Sequence, residues 1–326
     1  MELEKLFPLR IRTALPKEAW EEGLEEVRIR IGLPIEFSYS DGQKYLAIQN
    51  GTGCFIEAGS ISRNGSKAAM WDEEKLCRIG MADIAEMLSY ISNYSLYAYK
   101  EEIKQGYITV EGGYRIGIAG GAVMEQGKIA GLHHITFLNI RVAHERRGCA
   151  CNLLPYIKHE GSIYNTLILS PPGVGKTTYL RDSIRLLSEG SGETPGMKIC
   201  VVDERSEIAA CHMGIPQNDL GPRTDVLDGC SKAEGMLMLL RSMSPQILAV
   251  DELGGEKDFM AVEQAVYSGS RVLGTIHAGD IRELSGKPYL RRFISREIFR
   301  RYALIQKDEM GERRLQIYDE HMERLC

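Results

Sequence analysis

From Glu25 to Phe37 the chain alternates apolar and polar residues with the period of a β-strand. Val27, Ile29 and Ile31 lie on one face and Arg28 and Arg30 on the other, until Gly32 and Pro34 interrupt the pattern. A second β-type region covers Tyr107 to Val110 and Tyr114 to Ile118, separated by a Gly112-Gly113 turn. Between the two, Ile84, Met87, Leu88 and Ile91 recur at helical spacing, with Asp83 placed to cap the helix. Glycine-rich loops and a basic stretch from Arg141 to Arg147 follow, and then the pattern changes. Short aliphatic runs (Thr166 to Leu169, Ile199 to Val202, Ile247 to Val250, Val272 to Ile276) now alternate with amphipathic segments, as in a parallel sheet wrapped by crossover helices. Leu180, Ile184 and Leu187 form one helical stripe. Met236, Leu237, Leu240 and Met243 form another, opened by Ser231 and Glu234 at capping-box spacing. The boundary falls near Gly148, which gives an α+β domain over residues 1–147 and an α/β domain over residues 148–326.

With 326 residues, 44% apolar and 26% charged, the composition is that of an ordinary globular protein long enough for two domains. The net charge of -5 offers no chain-wide cationic field for nucleic acid. No apolar run approaches the roughly 20 residues of a membrane-spanning helix. Glu2, Glu4, Lys5 and Pro8 break up the first ten residues, so these cannot serve as the apolar region of a signal peptide, and residence in the cytosol is expected. The eight cysteines are irregularly spaced, and the single close pair, Cys149 and Cys151, lacks a second Cys/His pair; reduced, structural thiols are expected.

The strongest chemical signal is Ser170-Pro171-Pro172-Gly173-Val174-Gly175-Lys176-Thr177-Thr178, between the strand Thr166 to Leu169 and the helix bearing Leu180. In that position it reads as a P-loop. Glycines let backbone N–H groups wrap polyphosphate oxygens while the helix N-terminus faces the same anion. Lys176 would reach the β- and γ-phosphates of ATP, and the Thr177 hydroxyl would bind Mg²⁺. Ser170 stands where the usual pattern has its first glycine. Farther on, Gln246 to Val250 is an apolar strand ending in Asp251-Glu252, a Walker B arrangement. Asp251 would hold the Mg²⁺ shell and Glu252 would polarise the attacking water, a pair that favours hydrolysis over simple nucleotide binding. Asp251-Glu252-Leu253-Gly254 also fits a GTPase string, but no Asn-Lys-x-Asp follows to read guanine. Leu284 to Lys287 resembles a transporter-ATPase signature in the wrong order. Small-molecule kinases share the loop but seldom the second carboxylate. Two more strand ends carry polar groups where open α/β sheets gather their sites. Asp203-Glu204-Arg205 makes Glu204 a candidate for positioning water or Mg²⁺, and Thr275-Ile276-His277 makes His277 a candidate γ-phosphate sensor.

The order of P-loop, acidic box (Asp203-Glu204), Walker B and Thr275-Ile276-His277 resembles the type II and type IV secretion ATPases over about residues 150–280. Glu26 to Pro34, Gly221 to Gly229 and Leu240 to Pro245 extend a resemblance to the stage III sporulation AA family of endospore-forming bacteria across most of the chain. Two departures from the secretion ATPases stand out: Asp251 replaces a usual glycine, and Ser170 replaces the first loop glycine. The resemblance implies a RecA-like, Mg²⁺-dependent ATPase domain behind the smaller α+β domain. It implies a mother-cell protein peripheral to the outer forespore membrane, energising membrane components of a stage III sporulation channel. It further implies a homo-oligomeric ring, a hexamer, with nucleotide between one subunit's motor domain and its neighbour's N-terminal domain. Arg115 and Arg141 are then candidates for arginines acting across that interface, and Arg241 and Arg223 for arginines acting within the motor domain.

From Ile281 to Arg301, seven basic residues face two acidic ones on an expected helix striped by Leu290, Phe293, Ile294 and Ile298, either a solvated face or a docking surface for anionic lipid or an acidic partner. The competing functional class is a nucleic-acid-stimulated NTPase with Arg28, Arg30 and Arg141 to Arg147 lining a basic groove. A third is a scaffold that binds nucleotide without turnover.

Overall fold

The computed structural model describes residues 3–20, 23–49, 51–62, 71–72, 75–142, 146–192, 194–308 and 311–326. The chain divides into two compact units, Met1–His144 and Glu145–Cys326.

The first unit is built on an antiparallel seven-stranded sheet. Its strands are β1 (Leu24–Arg30), β2 (Glu36–Tyr39), β3 (Gly42–Gln49), β4 (Thr52–Glu57), β5 (Tyr107–Val110), β6 (Tyr114–Glu125) and β7 (Lys128–Arg141), in the spatial order β4-β3-β2-β1-β7-β6-β5. The alternation along β1 buries Leu24, Val27 and Ile29 and leaves Arg28 and Arg30 to pair with Glu36. Gly112 and Gly113, at φ 93° and 77°, turn β5 into β6. Helix α1 (Met81–Ile91) buries Ile84, Met87, Leu88 and Ile91. Asp83 caps this helix from the third helical position and not from the N-cap. Gly80 occupies the N-cap, and the Asp83 carboxylate, at the third helical position, accepts the Gly80 N–H at 2.7 Å and pairs with Arg10. Of the expected glycine-rich loops, Gly127, at φ 76°, lies in the turn between β6 and β7, whereas Gly120 and Gly121 lie within β6, beside a register shift where a Cβ on Gly120 would fall 2.5 Å from the His134 carbonyl. Residues 143–145 of the basic stretch lie outside the described residues.

The second unit is a seven-stranded sheet flanked by helices. Its elements, in chain order, are β8 (Thr166–Ser170), α2 (Lys176–Glu189), β9 (Ile199–Asp203), β10 (Thr224–Asp228), α3 (Lys232–Met243), β11 (Ile247–Val250), α4 (Glu256–Tyr267), β12 (Arg271–His277), α5 (Pro288–Ser295), β13 (Arg301–Lys307) and β14 (Arg313–Tyr318). The spatial order is β10-β9-β11-β12-β8-β13-β14, parallel throughout except for the antiparallel β13–β14 pair. Strands β8, β9 and β11 are buried on both faces, which explains their unbroken apolar runs. Leu167 and Leu169 pack on one side with Leu248, Val250 and Phe259, and Ile168 packs on the other with Ile184, Val201 and Ala249.

Ser231 is the N-cap of α3, but its hydroxyl bonds the Glu234 carboxylate at 3.0 Å in place of a backbone N–H. The helix expected through Ile298 stops at Ser295; Ile298 is buried in the following turn, and its carbonyl accepts the Asn165 side-chain amide at 2.9 Å. On this segment Arg292 and Arg296 both pair with Glu263 of α4, which reduces the cationic face read from sequence.

Asp203, at the end of β9, is 2% exposed and accepts the backbone N–H groups of Glu207, Ile208 and Ala209 at 2.8 to 2.9 Å. Burial pushes its carboxyl up to about 6 against the pull of these three donors, with neighbouring Asp228 adding to the rise. The raised value means the folded state binds the extra proton, so this residue's contribution to stability falls as pH rises from about 4 to about 6. Asp203→Asn places an amide NH₂ against donors and is expected to destabilise the unit by about 1–3 kcal/mol. A lowered melting temperature at pH 7, with a larger deficit at pH 4.5, where the wild type gains from the bound proton and the amide cannot, would bear this out; an unchanged melting temperature at both would refute it.

Candidate nucleotide site

Four parallel strands, β9, β11, β12 and β8, stand side by side, and their carboxyl ends bring the chemistry-bearing residues to one edge of the sheet. Ser170 ends β8, wholly buried and in register with His277 at the end of β12. It is not among the residues with positive φ, so this position needs no glycine, and serine substitutes without backbone strain. The loop's two glycines do require their freedom: Gly173 has φ 73° and Gly175, the N-cap of α2, has φ 117°.

Lys176 opens α2, is 5% exposed, and lies 3.0 Å from His277 Nδ1 and 3.4 Å from Nε2. Burial lowers the tendency of its amine to hold a proton, an effect that the nearby carboxylates of Asp251 and Glu252 oppose. The Thr177 hydroxyl donates to Asp251 Oδ2 at 2.6 Å. Thr275 Oγ1 donates to the other Asp251 oxygen and accepts the Glu252 N–H at 2.8 Å. Thr275, which the sequence shows only as part of the Thr275-Ile276-His277 string, thus holds the Asp251 carboxylate and the Glu252 backbone in place. Its hydroxyl emerges as a contact only once β11 and β12 are adjacent.

Glu252 sits just past β11 in the left-handed region, at φ 53°, a conformation a glutamate holds only when its surroundings impose it. The Leu253 N–H donation to the Thr275 carbonyl at 2.8 Å is one such restraint. The Glu252 carboxylate meets His277 Nε2 at 2.7 Å and Arg205 at 3.3 Å. Burial raises its pKa, but His277, Lys176 and Arg205 together outweigh that and hold it below the usual carboxylate range. Arg205 is thus a cation at the site that sequence reasoning passed over. Glu204 is paired with Lys232 of α3 and borders the same small pocket as Asp251 and Glu252.

The loop, Lys176, Thr177, Asp251, Glu252 and His277 therefore come together, with Glu204 alongside. The candidate arginines stand differently. Arg241 is exposed and donates to the Leu237 carbonyl one turn back at 3.1 Å, and Arg223 is exposed before β10. Among the described residues neither hydrogen-bonds to the 170–178 loop nor to Asp251 or Glu252. In the first unit, Arg115 and Arg141 are register partners on β6 and β7, with Arg115 stacked 3.7 Å over the Tyr107 ring.

Among the described residues no group of three or more His, Cys, Asp or Glu side chains could hold a metal unaided. The Thr177 hydroxyl and Asp251 carboxylate are hard oxygen donors, the small protein share that suits Mg²⁺ completed by phosphate and water.

The family model for sporulation stage III, protein AA, matches residues 61–325. The chain belongs to this family. It is 39% identical over 321 residues to stage III sporulation protein AA of Bacillus subtilis (strain 168), covering 98% of this chain and 94% of the relative. Among solved structures the family member described above is similar to the pilus retraction motor PilT with bound ADP (TM-score 0.55, 13% identity, 92% of this chain and 80% of that one). It is also similar to the ATPase DotB of Legionella pneumophila (TM-score 0.52, 16% identity, 90% and 76%). The likeness is one of fold: a RecA-like α/β domain that follows a β-rich N-terminal domain in the chain. Among the described residues no helix is long and apolar enough to cross a membrane.

Proposed function

We propose that this stage III sporulation AA family member is a Mg²⁺-dependent ATPase. Its residues 148–326 bind ATP on the 170–178 loop and hydrolyse it to energise membrane components of a sporulation channel between mother cell and forespore. The observation that carries this reading is the convergence of Lys176, Thr177, Asp251, Glu252 and His277 at one sheet edge. Backbone amides of the loop and Lys176 would take the phosphates, and Thr177 with Asp251 would hold Mg²⁺, which supplies charge neutralisation at the β- and γ-phosphates when bound. Glu252, ionised at neutral pH, accepts a proton from the attacking water, and His277 fixes the orientation of that carboxylate. The positive φ of Glu252 and the Thr275 hydroxyl prearrange the carboxylate, so little reorganisation is left for the reactive step.

Within this proposal the protein works as a homo-oligomeric ring of the hexameric secretion-ATPase kind, peripheral to the outer forespore membrane on the mother-cell side. Arg115 and Arg141 would offset phosphoryl charge at a neighbouring subunit's site, Arg115 from a guanidinium stacked over the Tyr107 ring. The nucleic-acid reading loses support, because Glu36 already engages Arg28 and Arg30, and Asp219 engages Arg147.

Purified protein is expected to hydrolyse ATP only with Mg²⁺, to gain mass on ATP addition, and to be indifferent to single-stranded DNA. A phosphate-release assay paired with light scattering checks all three. No turnover above background, with no ATP affinity, would overturn the proposal, and strong salt-sensitive stimulation by DNA would replace it with the nucleic-acid reading.

A further inference from the structure

The loop is approached from its far side by a residue with no motif around it. Arg313 is the first residue of β14, half-buried, and its Nε donates to the Val174 carbonyl at 2.7 Å. Its guanidinium lies flat against Gly175: a Cβ there would stand 3.1 Å from Nε and Nη2 and 3.2 Å from Cζ. The reach follows from strand periodicity. Arg313 shares a face with Leu315 and Ile317, which pack into the core cluster that also holds Tyr179 and Leu180 of α2. The neighbouring strand end is braced where Asp308 accepts the Glu312 N–H at 2.9 Å and the Arg314 guanidinium at 3.0 Å. Among the described residues the two terminal NH₂ groups of Arg313 have no hydrogen-bond acceptor.

Sheet order decides which end of a nucleotide this cation would meet. Strands β11 and β12, carrying Glu252 and His277, lie on one side of β8, and β13 and β14 lie on the other. A nucleotide with its γ-phosphate toward Glu252 points its α-phosphate and ribose toward β14. We propose that Arg313 is a nucleotide-binding residue whose guanidinium fork engages the α-phosphate at the Gly175 end of the loop. This rests on the ATP-binding reading above and adds to it a ligand supplied by the C-terminal hairpin. Planar, bidentate geometry is what arginine offers a phosphate and lysine does not.

The test is equilibrium binding of ADP and ATP to the full chain, with melting temperature measured in parallel. Arg313→Ala should weaken ADP and ATP alike by about tenfold or more, and in steady-state hydrolysis the loss should fall on KM more than on kcat. Arg313→Lys should recover only part of the affinity. Wild-type Kd values in Arg313→Ala, even with a lowered melting temperature, would reduce Arg313 to a latch on the Val174 carbonyl and overturn the proposal. So would a loss confined to kcat. If Arg313→Ala does not fold, Arg313→Lys decides: a three- to tenfold loss supports the fork contact, and wild-type affinity overturns it. Should the wild-type protein bind neither nucleotide, the ATP-binding reading fails and this inference with it; wild-type binding with an indifferent Arg313 fails this inference alone.

Discussion

Glu252→Gln is expected to lower ATP turnover by at least about a hundredfold while the affinities for ADP and ATP stay within about threefold, since a positioned general base supplies roughly 10²–10⁴ of the rate. The amide keeps the size of the carboxylate and can still meet His277, so the fold and the loop are left alone. It loses the capacity to accept a proton from water. The pH dependence has a defined sign. Glu252 titrates below the ordinary carboxylate range because His277, Lys176 and Arg205 outweigh its burial. Its ionised form is therefore complete throughout neutral pH, and the fall in kcat/KM that follows from its protonation belongs to strongly acidic solution. The same pairing stabilises the fold above the unfolded-state pKa and is lost as pH falls through the lower folded-state value. Single-turnover hydrolysis beside nucleotide titration separates the two effects. Turnover within tenfold of wild type in Glu252→Gln would remove Glu252 from the role of base and leave Mg²⁺ and Lys176 to account for any hydrolysis.

The central strands of the parallel sheet were legible because burial on both faces leaves little but aliphatic residues at Thr166 to Leu169, Ile199 to Val202 and Ile247 to Val250. The edge strand β10 was not. Thr224–Asp228 is half-buried throughout and mixes Thr, Asp, Val and Leu without a clear period, as an edge position permits. In the hairpin, β13 is a short buried run from Tyr302 to Ile305 directly after a basic segment with a helical stripe, and β14 alternates only from Arg313 to Ile317. Sequence motifs report residues close together in the chain, and so they found Lys176 with Thr177 and Asp251 with Glu252. The links between those pairs run through Thr275, His277 and Arg205, which only the order of β9, β11, β12 and β8 brings within reach. Arg313 is the extreme case, 139 positions from the carbonyl it holds. The hydroxyl of Ser170 illustrates the opposite limit: its departure from a glycine consensus looked consequential in the string and is accommodated by ordinary extended backbone.

Lys176→Ala should act on binding where Glu252→Gln acts on chemistry, weakening ATP by about a hundredfold or more. Lys176 is the one cation at the head of α2 whose ammonium already sits among the groups proposed to face the terminal phosphates, 3.0 Å from His277 Nδ1. A charge-assisted contact of this kind contributes about 1.5–3 kcal/mol, and two phosphate oxygens would share this donor. Stability without nucleotide should move the other way or not at all. Burial disfavours the charged amine, so removing it relieves a desolvation cost, while the Glu252–His277 and Thr177–Asp251 contacts remain. The combination is diagnostic in a thermal-shift titration: wild type rises by several degrees with Mg²⁺ and ATP, whereas Lys176→Ala starts at the same or a higher melting temperature and stays there. A variant that melted early would have lost its fold, not a ligand. One that melted normally and still rose with ATP would place the phosphates away from Lys176, and the convergence of residues at this sheet edge would then need another ligand to explain it.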